Sequence, residues 1–70
     1  MYDYSKLRGR ITEKFGSAIE FSKALGVSNV TVSKKLNEKA GFSREDIEAW
    51  SNLLDIESNE YGSYFFAPKV

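Results

Sequence analysis

Seventy residues with no net charge, ten Lys and Arg against ten Asp and Glu, fit one small domain spanning 1–70. The chain holds no cysteine and no histidine, which excludes disulfides, zinc sites built on those residues, and thiol or imidazole catalysis; a core this small must therefore rest on well-packed helices. No apolar run approaches the ~20 residues of a membrane span and no signal-peptide pattern opens the chain, so a cytoplasmic protein is expected.

In chain order, Tyr4, Leu7, Ile11 and Phe15 recur at the spacing of one buried helical stripe. Asp3 is the expected N-cap of this first helix and Gly16 its stop. Lys6, Arg10 and Lys14 step by four along another side, a row whose ordinary fate is a solvated face. Ser17-Ala18-Ile19-Glu20 has the form of a capping box and starts a second helix, with Phe21 and Leu25 inward and Gly26 as its end. Ser28 is the next N-cap, opening a short third helix with Val32 and Leu36 on its inner face. Lys39-Ala40-Gly41 is a loop. Ser43 to Asp46 caps a fourth helix with Ile47, Trp50 and Leu54 inside and Leu53 alongside, and Ser58 to Phe65 supplies a short fifth before Pro68 ends regular structure. Core positions are thus Leu7, Ile11, Phe15, Phe21, Leu25, Val32, Leu36, Ile47, Trp50 and Leu54. The aromatic run Tyr61, Tyr64, Phe65 and Phe66 is expected to close the core beneath Trp50 and Leu54 rather than to form a dimerisation patch.

Two helices joined by a glycine-containing turn of three or four residues carry the local pattern of a helix-turn-helix. Gly26 supplies the positive φ of the turn, Val27 is expected to plug the gap between the helices, and Val32 locks the second helix onto the first. Helical rotation then turns Val30, Ser33 and Lys34 outward, with Asn29 in the first turn.

The zero net charge conceals an asymmetry. Residues 1–39 hold eight basic and four acidic side chains, a balance of +4; residues 40–70 hold two basic and six acidic, a balance of −4. Such a two-ended field can steer a polyanion to one end or meet a basic protein at the other. The acids Glu45, Asp46 and Glu48 lie in the first turns of a helix, where carboxylates ordinarily serve the dipole and the cap, and no enzymatic role is expected of them.

Phe21, Ala24-Leu25-Gly26-Val27-Ser28, Val32-Ser33, Leu36-Asn37, Gly41-Phe42-Ser43, Glu45-Asp46-Ile47 and the closing Tyr64 to Lys69 run together resemble the phage lambda-repressor and Cro-like helix-turn-helix family, in particular small phage and prophage regulators of lysogeny switches. The resemblance implies an all-α, compact five-helix lambda-repressor-like domain with a recognition helix over Ser28 to about Asn37. It places Asn29, Val30, Ser33 and Lys34 at base edges, where Asn pairs with adenine, Lys with guanine and Val with a thymine methyl. It places Ser17, Ser28, Lys35, Lys39, Ser43 and Arg44 at phosphates. The chain departs from the family pattern in four places. Ser17 and Ala18 stand where a phosphate-touching glutamine is usual, Glu38 replaces a common glycine, Ser22 replaces a common alanine, and Lys35 occupies a flank that is often apolar.

Two functions follow. The first is a sequence-specific DNA-binding regulator of a phage switch, with double-stranded operator DNA as ligand. The second is an antirepressor that keeps the scaffold but binds the N-terminal DNA-binding domain of a phage repressor, using Lys23, Asn29, Val30 and Lys34 as its contact face. DNA binding is the leading expectation, because the fold and the outward readers favour it, although fold does not fix function. Neither reading calls for a cofactor or a metal, and both fit a monomer or weak homodimer in the bacterial host cytoplasm.

Overall fold

The computed structural model describes residues 2–37 and 41–68. Among these residues the chain forms five α-helices: α1 (Ser5–Phe15), α2 (Ala18–Leu25), α3 (Asn29–Leu36), α4 (Arg44–Leu54) and α5 (Tyr61–Phe65), the last preceded by a single 3-10 turn at Ser58–Glu60. No strand forms among the described residues. One isolated antiparallel bridge joins Tyr2 to Pro68, and the Asp3 N–H donates to the Ala67 carbonyl at 2.7 Å, so the two tails lie side by side.

Local signals explain the helix limits. The hydroxyls of Ser17, Ser28 and Ser43 each accept the backbone N–H three residues on, from Glu20, Thr31 and Asp46. At Ser43 the cap is reciprocal, since the Asp46 carboxylate accepts the Ser43 N–H at 2.9 Å. Gly26 takes φ 82° in the left-handed region, returning its N–H to the Ser22 and Lys23 carbonyls. A side chain there would be strained, which is why glycine stands at the turn. The first helix departs from expectation. Tyr4, not Asp3, occupies its N-cap, and Asp3 Oδ1 accepts the Ser5 N–H at 2.9 Å and the Ser5 hydroxyl at 2.6 Å. The Asp3 backbone is tied to the C-terminal tail, which holds it one residue outside the helix.

The core gathers on Leu7, Ile11, Phe21, Val32, Trp50, Leu54 and Phe65, all almost wholly enclosed. Edge-to-face rings build it: Trp50 lies 4.8 Å from Phe21 and 4.8 Å from Phe42, and Phe42 continues to Phe65 at 5.1 Å and Tyr4 at 5.4 Å. Leu36 and Ile47 are buried as expected. Phe15 and Leu25 are only half-buried against the cluster, because each is the last residue of its helix. Tyr64 and Phe65 close the core as the tail pattern predicts, joined by Tyr4 and Ile56, while Phe66 stays 47% exposed. Val27 is a correction: it is exposed instead of plugging the α2–α3 gap. Leu25 and Val32 fill that side, and Ser22, buried in α2, turns its hydroxyl back to the Ile19 carbonyl at 2.7 Å.

In the basic row on α1, Lys6 and Lys14 are exposed as expected and Arg10 is partly buried, but all three are engaged. Lys6 lies over the Tyr64 ring, with Nζ 4.6 Å from its centroid. Arg10 donates to the carbonyls of Leu54 (2.7 Å) and Asp55 (3.0 Å), and Lys14 pairs with the Asp55 carboxylate. Orphan carbonyls at the end of α4 need donors, and α1 supplies them. Among the described residues Asp55, at φ 55°, is the non-glycine residue held in the left-handed region, braced by both cations. Arg8 treats the end of α3 in the same way, reaching the Leu36 carbonyl at 3.0 Å and Asn37 Oδ1 at 2.8 Å.

Candidate functional site

α2, the turn Gly26–Ser28 and α3 place the expected reader residues on one outer surface. Asn29, Val30, Ser33 and Lys34 are all exposed, with Val30 at 60%, while Val32 and Leu36 face the core. The Ser33 hydroxyl accepts from Asn37 Nδ2 at 3.2 Å. Lys23 is exposed on α2 and reaches Glu20 at 3.2 Å. The four side chains of the expected partner face (Lys23, Asn29, Val30 and Lys34) therefore all reach the surface of this helix pair.

The same surface is more apolar than a phosphate-binding one. Ile19 (52% exposed) follows Ser17 and Ala18, which stand where the resembled family usually has a glutamine, and Val27 and Val30 add further exposed aliphatic surface. Scattered exposed aliphatics are ordinary, but three within α2, the turn and α3 add apolar area to that segment.

The phosphate set divides. Ser17, Ser28 and Ser43 stand at helix N-termini with their oxygens occupied as caps. Arg44 is free in solvent apart from a 3.4 Å contact to Glu48, a pair of little energetic consequence. Lys39 and the neighbouring Glu38 lie outside the described residues, as do Ala40 of the expected loop and Lys69 of the tail. Lys35 is the clear departure. Its side chain is 14% exposed, and Nζ donates to Asp46 Oδ2 at 2.7 Å and to the Gly41 carbonyl at 3.0 Å, with the Phe42 ring 5.7 Å away. It ties α3 to the head of α4 and does not project toward a ligand. Burial pushes the Asp46 carboxyl up, but the hydrogen bonds from Lys35 and Ser43 and the Lys35 charge outweigh it, holding the group below its ordinary range.

A second concave surface lies on the opposite half of the sequence. Phe42, Ile47, Tyr61 and Phe66 line a groove of about 580 Å³ between α4 and α5, with Arg44 and Glu48 on its edge. Residues 44, 47 and 48 share one face of α4, which places two charges beside an apolar floor. The sequence pattern assigned Ile47 and the tail aromatics to the core, and it missed that part of their surface stays open. The signal was the surplus of aromatics over what so small an interior encloses. A smaller polar cleft of about 250 Å³ involves Asp3, Ser5, Arg8 and Asn37. Among the described residues no group of acidic side chains is arranged to hold a metal ion, and no helix is long and apolar enough to cross a membrane.

A family model described as "Protein of unknown function (DUF739)" matches residues 1–68. The chain belongs to this family. Among solved structures it is similar to the solution structure of the modulator of repression (MOR) of the temperate bacteriophage TP901-1 from Lactococcus lactis. The two are 42% identical with a TM-score of 0.86, over 99% of this chain and 93% of that one. A comparison with curated proteins gives no match. The small-phage-regulator side of the resemblance thus has a structural counterpart, and the family shown is DUF739.

Proposed function

We propose that this chain is an antirepressor: it binds the DNA-binding domain of a phage repressor in the bacterial cytoplasm and takes it off operator DNA. The observation that carries this reading is the likeness to a modulator of repression along the whole chain. Surface chemistry supports it. The α2–α3 segment exposes Ile19, Val27 and Val30, aliphatic surface that a protein partner can cover. Lys35 is engaged with Asp46, which removes one cation from the expected phosphate set. The chain as a whole carries no net charge with which to attract a polyanion.

Sequence-specific DNA binding is the second reading, favoured by the exposure of Asn29, Ser33 and Lys34 on one helix face. Calorimetric titration against the repressor's DNA-binding domain, beside a titration against the intergenic operator DNA at low and high salt, separates the two. Antirepression predicts a saturable complex with the repressor domain and no sequence-dependent DNA affinity. Salt-sensitive binding to operator in preference to unrelated DNA, with no repressor complex, reverses the order of the two readings.

A further inference from the structure

We infer that Lys35 is a positioning residue for antirepression that acts through Phe42, holding that half-buried ring in place from the neighbouring helix; the inference rests on the antirepressor reading above.

Phe42 lies between α3 and α4, where no helical ladder fixes the backbone. Side chains fix it instead, one on each flank. The Gly41 carbonyl accepts from Lys35 Nζ at 3.0 Å, and the Ser43 N–H donates to Asp46 Oδ2 at 2.9 Å. The same Asp46 oxygen accepts from Lys35 Nζ at 2.7 Å, so one ion pair closes over both peptide flanks of Phe42. The Lys35 ammonium also stands 5.7 Å from the centre of the Phe42 ring, within range of a cation–π contact. The backbone is thus held before and after the ring, and the ring itself is held from α3.

The ring has work on two fronts. Part of it meets the core, edge-on to Trp50, Phe65 and Tyr4. Part stays open and lines the groove beside Ile47, Tyr61 and Phe66. Replacing a whole buried ion pair with apolar side chains is often neutral or better for stability, so stability alone does not call for a charged pair here. Keeping one orientation of a part-open aromatic does call for it. A ring already fixed before association loses less side-chain freedom when a partner binds. Lys35 reaches no partner itself, since its side chain is 14% exposed and its hydrogen bonds run to Gly41 and Asp46. Its influence on binding therefore passes through the residue that those bonds enclose.

The test measures dissociation constants of the full chain against the DNA-binding domain of the repressor whose gene adjoins this one, at a temperature where circular dichroism shows every variant folded. Lys35→Met and Asp46→Asn remove opposite charges from one clamp. Acting through Phe42, both lower affinity alike, by about two- to tenfold for one ordered side chain set free; acting through their own charge, they shift it in opposite directions. Arg10→Ala, which frees carbonyls at the far end of α4, is the control for lost stability and should leave affinity unchanged. Phe42→Leu keeps an apolar side chain in the core, and in that background Lys35→Met should have little further effect. In the free chain, proton NOEs from the Phe42 ring to Trp50 and Phe65 should weaken in Lys35→Met and persist in Arg10→Ala. Wild-type affinity in both clamp variants overturns the inference and leaves the antirepressor reading standing. So do opposite shifts of the two, an equal loss in Arg10→Ala, or a full additional loss in the Phe42→Leu background. Absence of any wild-type complex removes the antirepressor reading, and this inference with it.

Discussion

Replacing Lys35 by methionine keeps its length and apolar stem but deletes the ammonium that joins α3 to α4. The structure sets the magnitude. Two hydrogen bonds are lost, to Asp46 at 2.7 Å and to the Gly41 carbonyl at 3.0 Å, from a side chain only 14% exposed. Bonds to charged groups of this kind contribute about 1.5–3 kcal/mol each, and exposed pairs far less. Asp46 keeps the Ser43 N–H at 2.9 Å and is itself 29% exposed, so it is not left fully unsatisfied. The net cost should fall near 1–3 kcal/mol, lowering Tm by roughly 4–8 °C per kcal/mol in a domain of this size. Urea denaturation of wild type, Lys35→Met, Asp46→Asn and the double variant gives the coupling free energy directly. The Asp46 carboxyl is held below its ordinary value of 3.8, so its stabilisation is fully present above that value and is lost as pH falls through the lower folded value. The gap between wild type and Asp46→Asn should therefore close in that acid window. Near-zero coupling at neutral pH, with a wild-type Tm in Lys35→Met, would refute the clamp and return Lys35 to the pool of free cations.

Three further outcomes follow from the same structure. Arg10→Ala removes donors from the Leu54 and Asp55 carbonyls and should cost about 1–3 kcal/mol by urea denaturation; a loss under a few tenths of a kcal/mol would mean that solvent caps α4 equally well. Ser51 is buried in α4 with its hydroxyl lacking a hydrogen-bond partner, so Ser51→Ala should be neutral or stabilising by up to ~1–3 kcal/mol, and a drop in Tm would contradict this. Sedimentation should find a monomer or weakly associating dimer at micromolar concentration, since one small core leaves little apolar area for a strong interface, and a dimer persisting at nanomolar concentration would oppose that expectation.

Helix positions were legible where a boundary has a local chemical cause, which the start of α1 lacks: Tyr4 stands at its N-cap in place of Asp3. Ser17, Ser28, Ser43, Gly16 and Gly26 all act at the places the pattern assigns them. The inner stripe was legible for the same reason, helical spacing of apolar residues, and failed only at helix ends such as Phe15 and Leu25. What escaped the sequence was long-range. Arg10 and Asp55 are far apart in the chain, as are Arg8 and Leu36, and no spacing rule announces that a basic row will cap the ends of other helices. Val27 misled because a valine after a turn glycine suits a gap that Leu25 and Val32 already fill. Of the candidate site, the outward turn of Asn29, Val30, Ser33 and Lys34 was readable from helical rotation, whereas the Lys35 clamp and the α4–α5 groove depended on tertiary packing.

The measurement that bears most directly on antirepression is release of the repressor from its own operator. Fluorescently labelled operator DNA is saturated with repressor and titrated with this chain, and a parallel titration omits the repressor. The account predicts that anisotropy falls to the free-DNA value at saturating chain, while the chain alone leaves the labelled DNA unchanged. Retention of the repressor on operator, together with a rise in anisotropy when the chain alone meets that DNA but not unrelated sequence, would contradict the account and identify a DNA reader.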